Sequence, residues 1–351
     1  MKKFLVLFFA IAMVVAFTVP SYAEFTYSFK GDARMNTYSV NTSKEYNGTN
    51  DDDRDTIWSK ENVLSRFSIT AQSENIKGYI ELRPNVGSFV RHWFGEWNFG
   101  AGKLLVGKTW APATFFTNNQ NFAANLISGY GNLNYLAARV DQIRLTFGDL
   151  VIGFVDPSNG ISNLGLTSTD VTWPTIEATY TLKLDPVKLM FAAGYKTYDA
   201  VNAANTSFSV DSYFVGGSAY FNFGPFYANV EGHWAQNADN YGLNYVSVDA
   251  GAKFVGNEVK DNTGYGYLAA VGYKISDMLS AEAGYSHLEA KNDLPGATAD
   301  DASMMYVMLP ITVAPGVTIS PELGKVDEGK SGANVDQGDY SYFGATWKIA
   351  F

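Results

Sequence analysis

The sequence has 351 residues, a formal net charge of −10 at pH 7 and no cysteine. An acidic chain argues against a nucleic-acid partner, because a phosphate backbone asks for a basic surface. The lack of cysteine excludes a disulfide scaffold, thiolate metal sites and cysteine nucleophiles. Charged residues make up 17% of the chain, below the roughly 25% of soluble domains, and aromatic residues make up 15%.

The chain begins in the way that a secretory signal peptide does. Two lysines follow Met1, residues 4–19 are apolar apart from one threonine, and small residues stand at the expected cleavage site after Ala23. We therefore expect residues 1–23 to be removed on export, which leaves residues 24–351 as one domain with a net charge of −12. The alternative is an uncleaved anchor, although the apolar run is short for a spanning helix of about 20 residues.

Beyond the leader, apolar residues recur at every second position, which is the period of a β-strand. Ile176, Tyr180 and Leu184 share one face of such a segment, and Glu177 and Lys183 share the other. Comparable segments of about ten residues recur along the chain, and this is the length that a tilted strand needs to cross a bilayer. An exported, aromatic and charge-poor chain with this pattern indicates strands that meet lipid.

The pattern predicts sixteen strands, an even number that places both ends of the chain on one side of a barrel. Their predicted bounds are 24–38, 60–74, 76–84, 88–99, 102–110, 138–147, 150–156, 174–184, 186–198, 210–222, 226–236, 262–274, 278–290, 301–313, 317–326 and 339–351. Short connections alternate with long polar ones, as in transmembrane barrels. Residues 237–261 alternate in part, but a further strand would make the count odd, so we assign them to an extended loop or hairpin.

The predicted fold class is therefore all-β, a transmembrane antiparallel β-barrel. An open sheet in hydrocarbon would leave two unpaired edges, so residues 24–38 are expected to pair with residues 339–351. The last strand carries Phe343, Trp347 and Phe351 on one face. This face is expected to contact lipid or a neighbouring subunit.

Motifs of other chemistries are not supported by their context. Residues 102–109 fit the letters of a phosphate-binding loop, but three of them are strand-like apolar residues, and Pro112 disfavours the helix that must follow. His92, His233 and His287 have no metal-ligand spacing. We therefore expect no catalytic residue, no metal and no cofactor.

Two segments and the last residue resemble those of Gram-negative general porins. Residues 104–112, LLVGKTWAP, are similar to the strand before the inward-folded third loop of that family, and residues 139–154 resemble the Arg-x-Asp hairpin that follows the loop. Phe351 fits the terminal aromatic residue that the barrel-insertion machinery reads in that family. The resemblance implies a homotrimeric, sixteen-stranded channel of the cell outer membrane. Its partners would be the bilayer, outer-leaflet lipid and small hydrophilic solutes.

The resemblance further implies that residues 111–137 fold into the barrel as a constriction loop. This segment contains no Asp, Glu, Lys or Arg, whereas general porins usually carry carboxylates there, opposite an arginine wall. Strand alternation and the resemblance together give a set of pore-lining candidates, with Lys108 and Arg139 at the rim. The set is Lys30, Arg34, Arg66, Glu81, Arg83, Lys108, Asn118, Asn119, Asn121, Arg139 and Arg144. The alternative is that these charges are merely solvated in a polar interior.

A basic wall in a narrow pore favours anions, while acidic loops at the mouth act in the opposite direction and are screened by salt. We therefore expect a passive diffusion channel with little selectivity or a mild anion preference. The second outer loop, at about 84–88, is short, so a trimer would depend on the apolar outer faces of the terminal strands.

The sequence is also compatible with three other functions. A substrate-specific channel for sugars or organic anions would need an aromatic or charged ladder along the lumen. Four aromatic residues of the constriction segment are candidates for such a ladder. The alternative is that these four residues anchor the loop to the barrel wall. These residues are Phe115, Phe116, Phe122 and Tyr130. An outer-membrane enzyme and a soluble secreted β-protein are the remaining alternatives.

Overall fold

The computed structural model describes residues 24–59, 65–83, 90–124, 126–133 and 139–351. Its strands are β1 (Thr26–Thr42), β2 (Asp53–Ser59), β3 (Arg66–Gln72), β4 (Ile76–Leu82), β5 (Val90–Asn98), β6 (Lys103–Trp110), β7 (Arg139–Phe147), β8 (Leu150–Val155), β9 (Ser168–Asp170), β10 (Thr175–Leu184), β11 (Val187–Val201), β12 (Ser207–Phe223), β13 (Phe226–Gln236), β14 (Lys253–Val255), β15 (Glu258–Lys260), β16 (Asn262–Lys274), β17 (Ser280–Asn292), β18 (Asp300–Met308), β19 (Ile311–Ala314), β20 (Val317–Asp327) and β21 (Asp339–Ala350). The helices are α1 (Lys44–Asn47) and α2 (Ala238–Tyr241), with 3-10 turns at Phe122–Ala124 and Leu126–Gly129. Among the described residues, no helix is both long and apolar enough to cross a membrane.

In the described part of the chain, sixteen antiparallel strands form a closed wall. Their order is β1, β3, β4, β5, β6, β7, β8, β10, β11, β12, β13, β16, β17, β18, β20 and β21, which pairs again with β1. The segments β2, β9 and β19 belong to the same sheet, because they pair with β1, β11 and β20 respectively. The predicted all-β barrel of sixteen strands is confirmed.

The first and last strands close the barrel. β1 pairs with β21 from Asp32 opposite Ala350 to Thr42 opposite Tyr340. Beyond the ladder, Phe351 N–H donates to Gly31 C=O (2.9 Å) and Gly31 N–H donates to Phe351 C=O (2.8 Å). The last residue therefore still contributes two backbone hydrogen bonds to the seam, and the predicted pairing of the two ends is confirmed.

The two faces of the wall have the polarity of a membrane barrel. Ile176, Tyr180 and Leu184 are between 43 and 50% exposed, although they are large and apolar, whereas Glu177 on the opposite face is fully buried. Phe343 and Trp347 of the last strand are likewise exposed. Such an apolar outer face is stable against hydrocarbon, and the polar residues between face inward.

Several boundaries differ from the prediction. Residues 199–209 were expected to form a long loop, but β11 and β12 pair up to Val201 opposite Ser207, so that only residues 202–206 connect them. The strand predicted at 301–313 is interrupted between β18 and β19 at Pro310, because a proline has no N–H for the ladder. Of the strand predicted at 60–74, residues 60–64 lie outside the described residues, and β3 covers Arg66–Gln72.

Residues 237–261 form a loop and a short hairpin, where an extended loop or hairpin was predicted; that the loop folds inward was not predicted. The helix α2 opens the segment, and β14 pairs with β15 through Val255 opposite Glu258. The hairpin is a separate two-stranded sheet, so it does not alter the strand count of the wall. The predicted signal peptide, residues 1–23, and the predicted short loop at 84–88 lie outside the described residues.

Gly344 on β21 is a glycine at which the pairing of β1 with β21 leaves no room for a side chain. A Cβ at Gly344 would collide with the backbone of Thr37 and Tyr38 on the neighbouring strand. We expect Gly344→Ala to lower the free energy of unfolding by about 1–3 kcal/mol, the usual cost of overpacking. Urea unfolding in detergent micelles, followed by tryptophan fluorescence, measures this change.

The matched control is Gly95→Ala on β5, where a Cβ would have no heavy atom within 4 Å. This variant is expected to unfold at the urea concentration of the parent. Equal midpoints for both variants would contradict the crowding at Gly344.

Candidate functional site: the barrel lumen

The uncharged segment 111–133 lies inside the barrel, since it contacts inward-facing side chains of the wall. The Phe122 ring stacks on Tyr342 of β21 at 3.7 Å between centroids and meets Tyr38 of β1 edge-on at 4.9 Å. Tyr130 is buried, and its hydroxyl donates to Glu328 Oε1 (2.7 Å). Aromatic contacts and hydrogen bonds therefore tie the segment to one side of the lumen.

Glu322 on β20 receives the tip of this segment. Its carboxylate accepts hydrogen bonds from the side-chain amide of Gln120 (2.7 Å) and from the backbone N–H groups of Asn121 (3.0 Å) and Phe122 (3.2 Å). It also accepts one from the Tyr342 hydroxyl (2.7 Å). A buried carboxylate is stable only when its charge is met by donors, and these four donors meet it.

Glu282 on β17 binds the neighbouring residue of the segment in the same way. Asn119 donates to it from both its backbone N–H (2.8 Å) and its side-chain amide (2.6 Å). The hydroxyls of Tyr227 and Tyr306 each donate from 2.5 Å. Donors thus surround the Glu282 carboxylate on both the wall and the loop side.

Two further carboxylates fix the two ends of the segment. Glu231 on β13 accepts from the Thr117 hydroxyl (2.6 Å) and from Leu133 N–H (2.8 Å). Glu177 on β10 accepts from Ala113 N–H (3.0 Å). The segment thus supplies hydrogen-bond donors, and the barrel wall supplies the carboxylates that accept from them. Residues 111–137 therefore need no carboxylates of their own to be held against the wall.

A second loop, residues 237–252, covers this arrangement from the end with long connections. Tyr241 is buried, and its hydroxyl donates to Glu177 Oε1 (3.1 Å). Val246 N–H donates to Gly129 C=O (2.9 Å), which links the two inward loops directly. The Tyr245 hydroxyl lies 2.9 Å from His233 Nε2. The two loops together fill one side of the lumen with a core of their own.

The opposite side of the lumen carries the predicted charges. Arg34 Nε donates to Asp32 Oδ1 (2.8 Å), and Arg66 Nε lies 3.5 Å from Asp32 Oδ2. Arg66 also lies 3.9 Å from Glu81, whose Oε1 accepts a hydrogen bond from Arg91 Nε (2.6 Å). A chain of alternating charges therefore crosses β1, β3, β4 and β5. Arg91 is a member that sequence alternation missed, because a bulge beside Leu82 turns it inward with its neighbour.

Six cations and two carboxylates make up this face, which we call the basic wall. Its members are Arg34, Arg66, Arg83, Arg91, Arg139, Lys348, Asp32 and Glu81. Lys348 stands opposite Arg34 across the closing seam. Arg83 and Arg139 have no carboxylate within 4 Å among the described residues. The wall thus keeps a surplus of positive charge.

The remaining predicted residues are placed as follows. Lys30 shares the inward face of β1 but is exposed near the end with short turns. Arg144 faces inward beside the buried Leu105. Asn119 and Asn121 reach the carboxylates of the opposite wall, while Asn118 accepts a hydrogen bond from Gln120 N–H (3.1 Å).

Lys108, predicted at the lumen rim, lies near the end of β6. It pairs with Trp93, which is 60% exposed on the outer face, and it shares the alternation of Val106, which is 53% exposed. The register therefore places Lys108 with outward-facing residues, but the period of two does not extend to the end of β6, because Trp110 contacts the lumenal His92 and Phe116. The resemblance, rather than the alternation, had suggested the lumen.

The predicted aromatic ladder is not formed by the four candidates together. Phe115, Phe122 and Tyr130 are at most 4% exposed and anchor the segment, whereas Phe116 is 53% exposed. The carboxylates beneath the segment were not predicted as a set. Their polar positions on β10, β13, β17 and β20 were the only signal in the sequence, and strand periodicity does not say which inward residues a loop will cover.

Comparison with protein-family models matches residues 10–331 to the Gram-negative porin family. The chain belongs to this family. Among solved structures, the porin is similar to the outer membrane channel DcaP of Acinetobacter baumannii, with 16% sequence identity, a TM-score of 0.73, and coverage of 95% of this chain and 99% of that one. It is similar to the trimer form of OmpT of Vibrio cholerae (14% identity, TM-score 0.61, coverage 93% and 99%).

A third similar structure is an anion-selective porin from Comamonas acidovorans (14% identity, TM-score 0.60, coverage 93% and 100%). At such identities the likeness concerns the fold. No curated protein matches the sequence. As a member of the Gram-negative porin family, the chain is an outer-membrane channel and not an enzyme.

The Glu322 carboxylate beneath the loop tip is expected to contribute to the stability of the porin. Glu322→Gln keeps the size of the side chain but replaces one of its two acceptor oxygens by an NH2 donor, so that some of the loop donors lose their acceptor. We expect the free energy of unfolding to fall by about 1–3 kcal/mol, the cost of leaving buried polar groups unsatisfied. Urea titration in detergent measures it.

The control is Glu258→Gln, because Glu258 lies in the exposed hairpin and is paired with Lys260. It is expected to leave the unfolding midpoint unchanged. An unchanged midpoint for Glu322→Gln would mean that the loop does not depend on this carboxylate.

The second inward loop contains a titratable group outside the membrane-spanning strands. The Asp239 carboxyl in α2 accepts a hydrogen bond from Ala250 N–H (3.1 Å). Burial raises its pKa to about 6, and the nearby carboxylates of Asp249 and Asp300 act in the same direction, whereas Lys253 opposes them. Its ionised form is therefore less stable in the folded loop than in the unfolded chain.

Because the folded pKa of Asp239 lies above the unfolded value of about 3.9, its contribution to stability is complete below about pH 4 and is lost as the pH rises through about 6. We expect residues 237–252 to exchange their amide hydrogens faster at pH 7 than at pH 5, after correction for intrinsic rates. Hydrogen exchange with mass spectrometry measures this, and Asp239→Asn should remove the difference. Equal protection at both pH values in the parent would contradict the assignment.

Proposed function

We propose that this porin is a passive diffusion pore for ions and small hydrophilic solutes, with a mild preference for anions. The observation that carries the proposal is the basic wall, in which six cations face only two carboxylates. Across the lumen lies a segment with no charged residue. Fixed positive charges in a narrow, low-dielectric passage raise the local concentration of anions.

The carboxylates on the opposite side do not cancel this field. Glu231, Glu282 and Glu322 are at most 5% exposed, and each is covered by loop donors rather than open to the passage. The segment that covers them would narrow the lumen as a constriction loop and present Asn118, Asn119 and Phe116 to solutes. Support by analogy comes from the fold that the chain shares with an anion-selective porin.

We further propose a homotrimer, exported by way of the leader 1–23 and inserted with the help of its terminal aromatic residue. The fold is shared with a porin described in a trimer form. The outer face of the closing seam is apolar, with Phe29 64%, Ile349 57% and Phe351 75% exposed. This face would meet a neighbouring subunit or lipid.

The selectivity is tested by the reversal potential of the purified, refolded porin in a planar bilayer under a potassium chloride gradient. We expect a reversal potential on the anion side and ohmic conductance. Arg66→Glu should move the reversal potential to the cation side, because it replaces a lumenal cation by an anion. Conductance steps in groups of three would support the trimer.

The control is Arg54→Glu, which makes the same charge change in β2 at the mouth, where solvent and salt screen it. Its reversal potential should stay close to that of the parent. A parent channel that prefers potassium ions would overturn the proposed anion preference.

A further inference from the structure

Phe116 is the exception among the large apolar side chains of the inward segment. Within the described part of that segment, Phe115, Phe122, Ile127 and Leu133 are at most 4% exposed, while Phe116 is 53% exposed. Its backbone is held in place, because Phe116 N–H donates to the Tyr220 hydroxyl (3.4 Å). An apolar ring is thus fixed on the passage side of a loop whose other rings are buried.

The Phe116 ring belongs to a cluster at the end of β6 and the start of β7. It meets Trp110 edge-on, with 4.9 Å between ring centroids and 82° between the planes. The Arg139 guanidinium lies 3.6 Å from the centroid of the same indole. A cation and an apolar ring therefore contact one tryptophan, and this stacking holds the guanidinium in a defined orientation.

Arg139 has donors to spare. The Nε group of Arg139 donates to His92 Nε2 (3.4 Å). Because Nε2 of His92 accepts this bond, the imidazole is neutral, and the His92 Nδ1–H group donates to Thr109 Oγ1 (2.8 Å). The two terminal nitrogens of Arg139 have no hydrogen-bond partner in the described part of the chain. The neighbouring guanidinium groups of Arg66, Arg83 and Arg91 are close enough to add their charge at this place. The planar fork of an arginine is suited to a carboxylate, which it can bind through two parallel hydrogen bonds.

We propose that Phe116, Trp110 and Arg139 form a binding subsite for a small aromatic carboxylate in the lumen. The carboxylate would take the free edge of Arg139, and the ring would pack against Phe116. A neutral sugar would leave the arginine charge unpaired, and an aliphatic anion would leave the phenyl ring without a partner. This subsite rests on the proposed function in one respect, namely that anions enter the lumen.

The test uses benzoate as the probe, with acetate and benzyl alcohol as partial probes that lack the ring or the charge. Each is added to the refolded porin in a planar bilayer, and the concentration that halves the chloride current is measured. We expect benzoate to block at a concentration about tenfold lower than acetate, and benzyl alcohol not to block. Phe116→Ala should raise the benzoate concentration about fivefold, the value of one aromatic contact, and leave acetate unchanged.

Arg139→Gln should weaken the block by benzoate about tenfold, as expected for the loss of a charge-assisted hydrogen bond. Arg139→Lys keeps the positive charge but cannot form two parallel hydrogen bonds to a carboxylate. Benzoate should therefore block this variant better than Arg139→Gln but less well than the parent. The matched controls are Phe223→Ala, a ring that is 52% exposed on β12 at the turn end, and Arg54→Gln at the mouth. Neither should change the block. Folding of each variant is checked by its heat-dependent gel mobility.

The two proposals fail in different ways. A reversal potential on the cation side in the parent would overturn the anion preference. An anion-selective parent that benzoate blocks no better than acetate, or whose benzoate block survives Phe116→Ala, would overturn the subsite and leave the proposed pore intact. Equal block by benzoate and benzyl alcohol would show a ring contact without a role for Arg139, and would also overturn it.

Discussion

Every backbone N–H and C=O group in the membrane-spanning part of this chain must find its partner within the sheet, because hydrocarbon offers no substitute. The rest of the structure depends on this constraint. It forces the first strand onto the last, through a register that runs from Asp32 opposite Ala350 to Thr42 opposite Tyr340. It also makes the seam intolerant of bulk at Gly344. Once the wall is closed, the inward-facing residues surround a space that polar loops can occupy.

Inside that space a second requirement applies, namely that buried carboxylates must be covered by donors. The wall places Glu177, Glu231, Glu282 and Glu322 on the side where the two inward loops lie. Backbone amides, side-chain amides and tyrosine hydroxyls cover them. On the other side, arginines outnumber carboxylates, and the passage runs between the two. The asymmetry of the lumen therefore arises from which charges are covered by the loops and which are paired with one another within the opposite wall.

The sequence predicts the wall well because strand periodicity is a local property. Alternation identified the lipid-facing residues, such as Ile176 and Tyr180, and closure followed from the absence of water in the bilayer. Strand ends were less predictable, because pairing above the membrane extends β11 and β12 and a proline interrupts the strand after β18. Neither effect changes the period on which the prediction was based.

The lumen was predicted only in part, since its contacts are not local. Glu322 lies some 200 residues from the loop that it binds, and alternation says only that such a residue faces inward. Arg91 was missed because a bulge suspends the alternation. The alternation also fails at the end of β6, where Trp110 has the parity of the exposed Val106 and yet contacts the lumenal His92. Tertiary contacts of this kind need the closed barrel before they can be seen.

An uncharged loop that donates hydrogen bonds to carboxylates of the wall limits how loops can be exchanged between barrels. A constriction loop that carries its own carboxylates could not simply be grafted onto this barrel, because it would bring negative charge against wall carboxylates that need donors. The transplant would have to be accompanied by neutral replacements at Glu231, Glu282 and Glu322. In the same way, this loop placed in another barrel would leave its amide groups without acceptors. Loop and wall are therefore a matched pair, and natural exchange of one is expected to require exchange of the other.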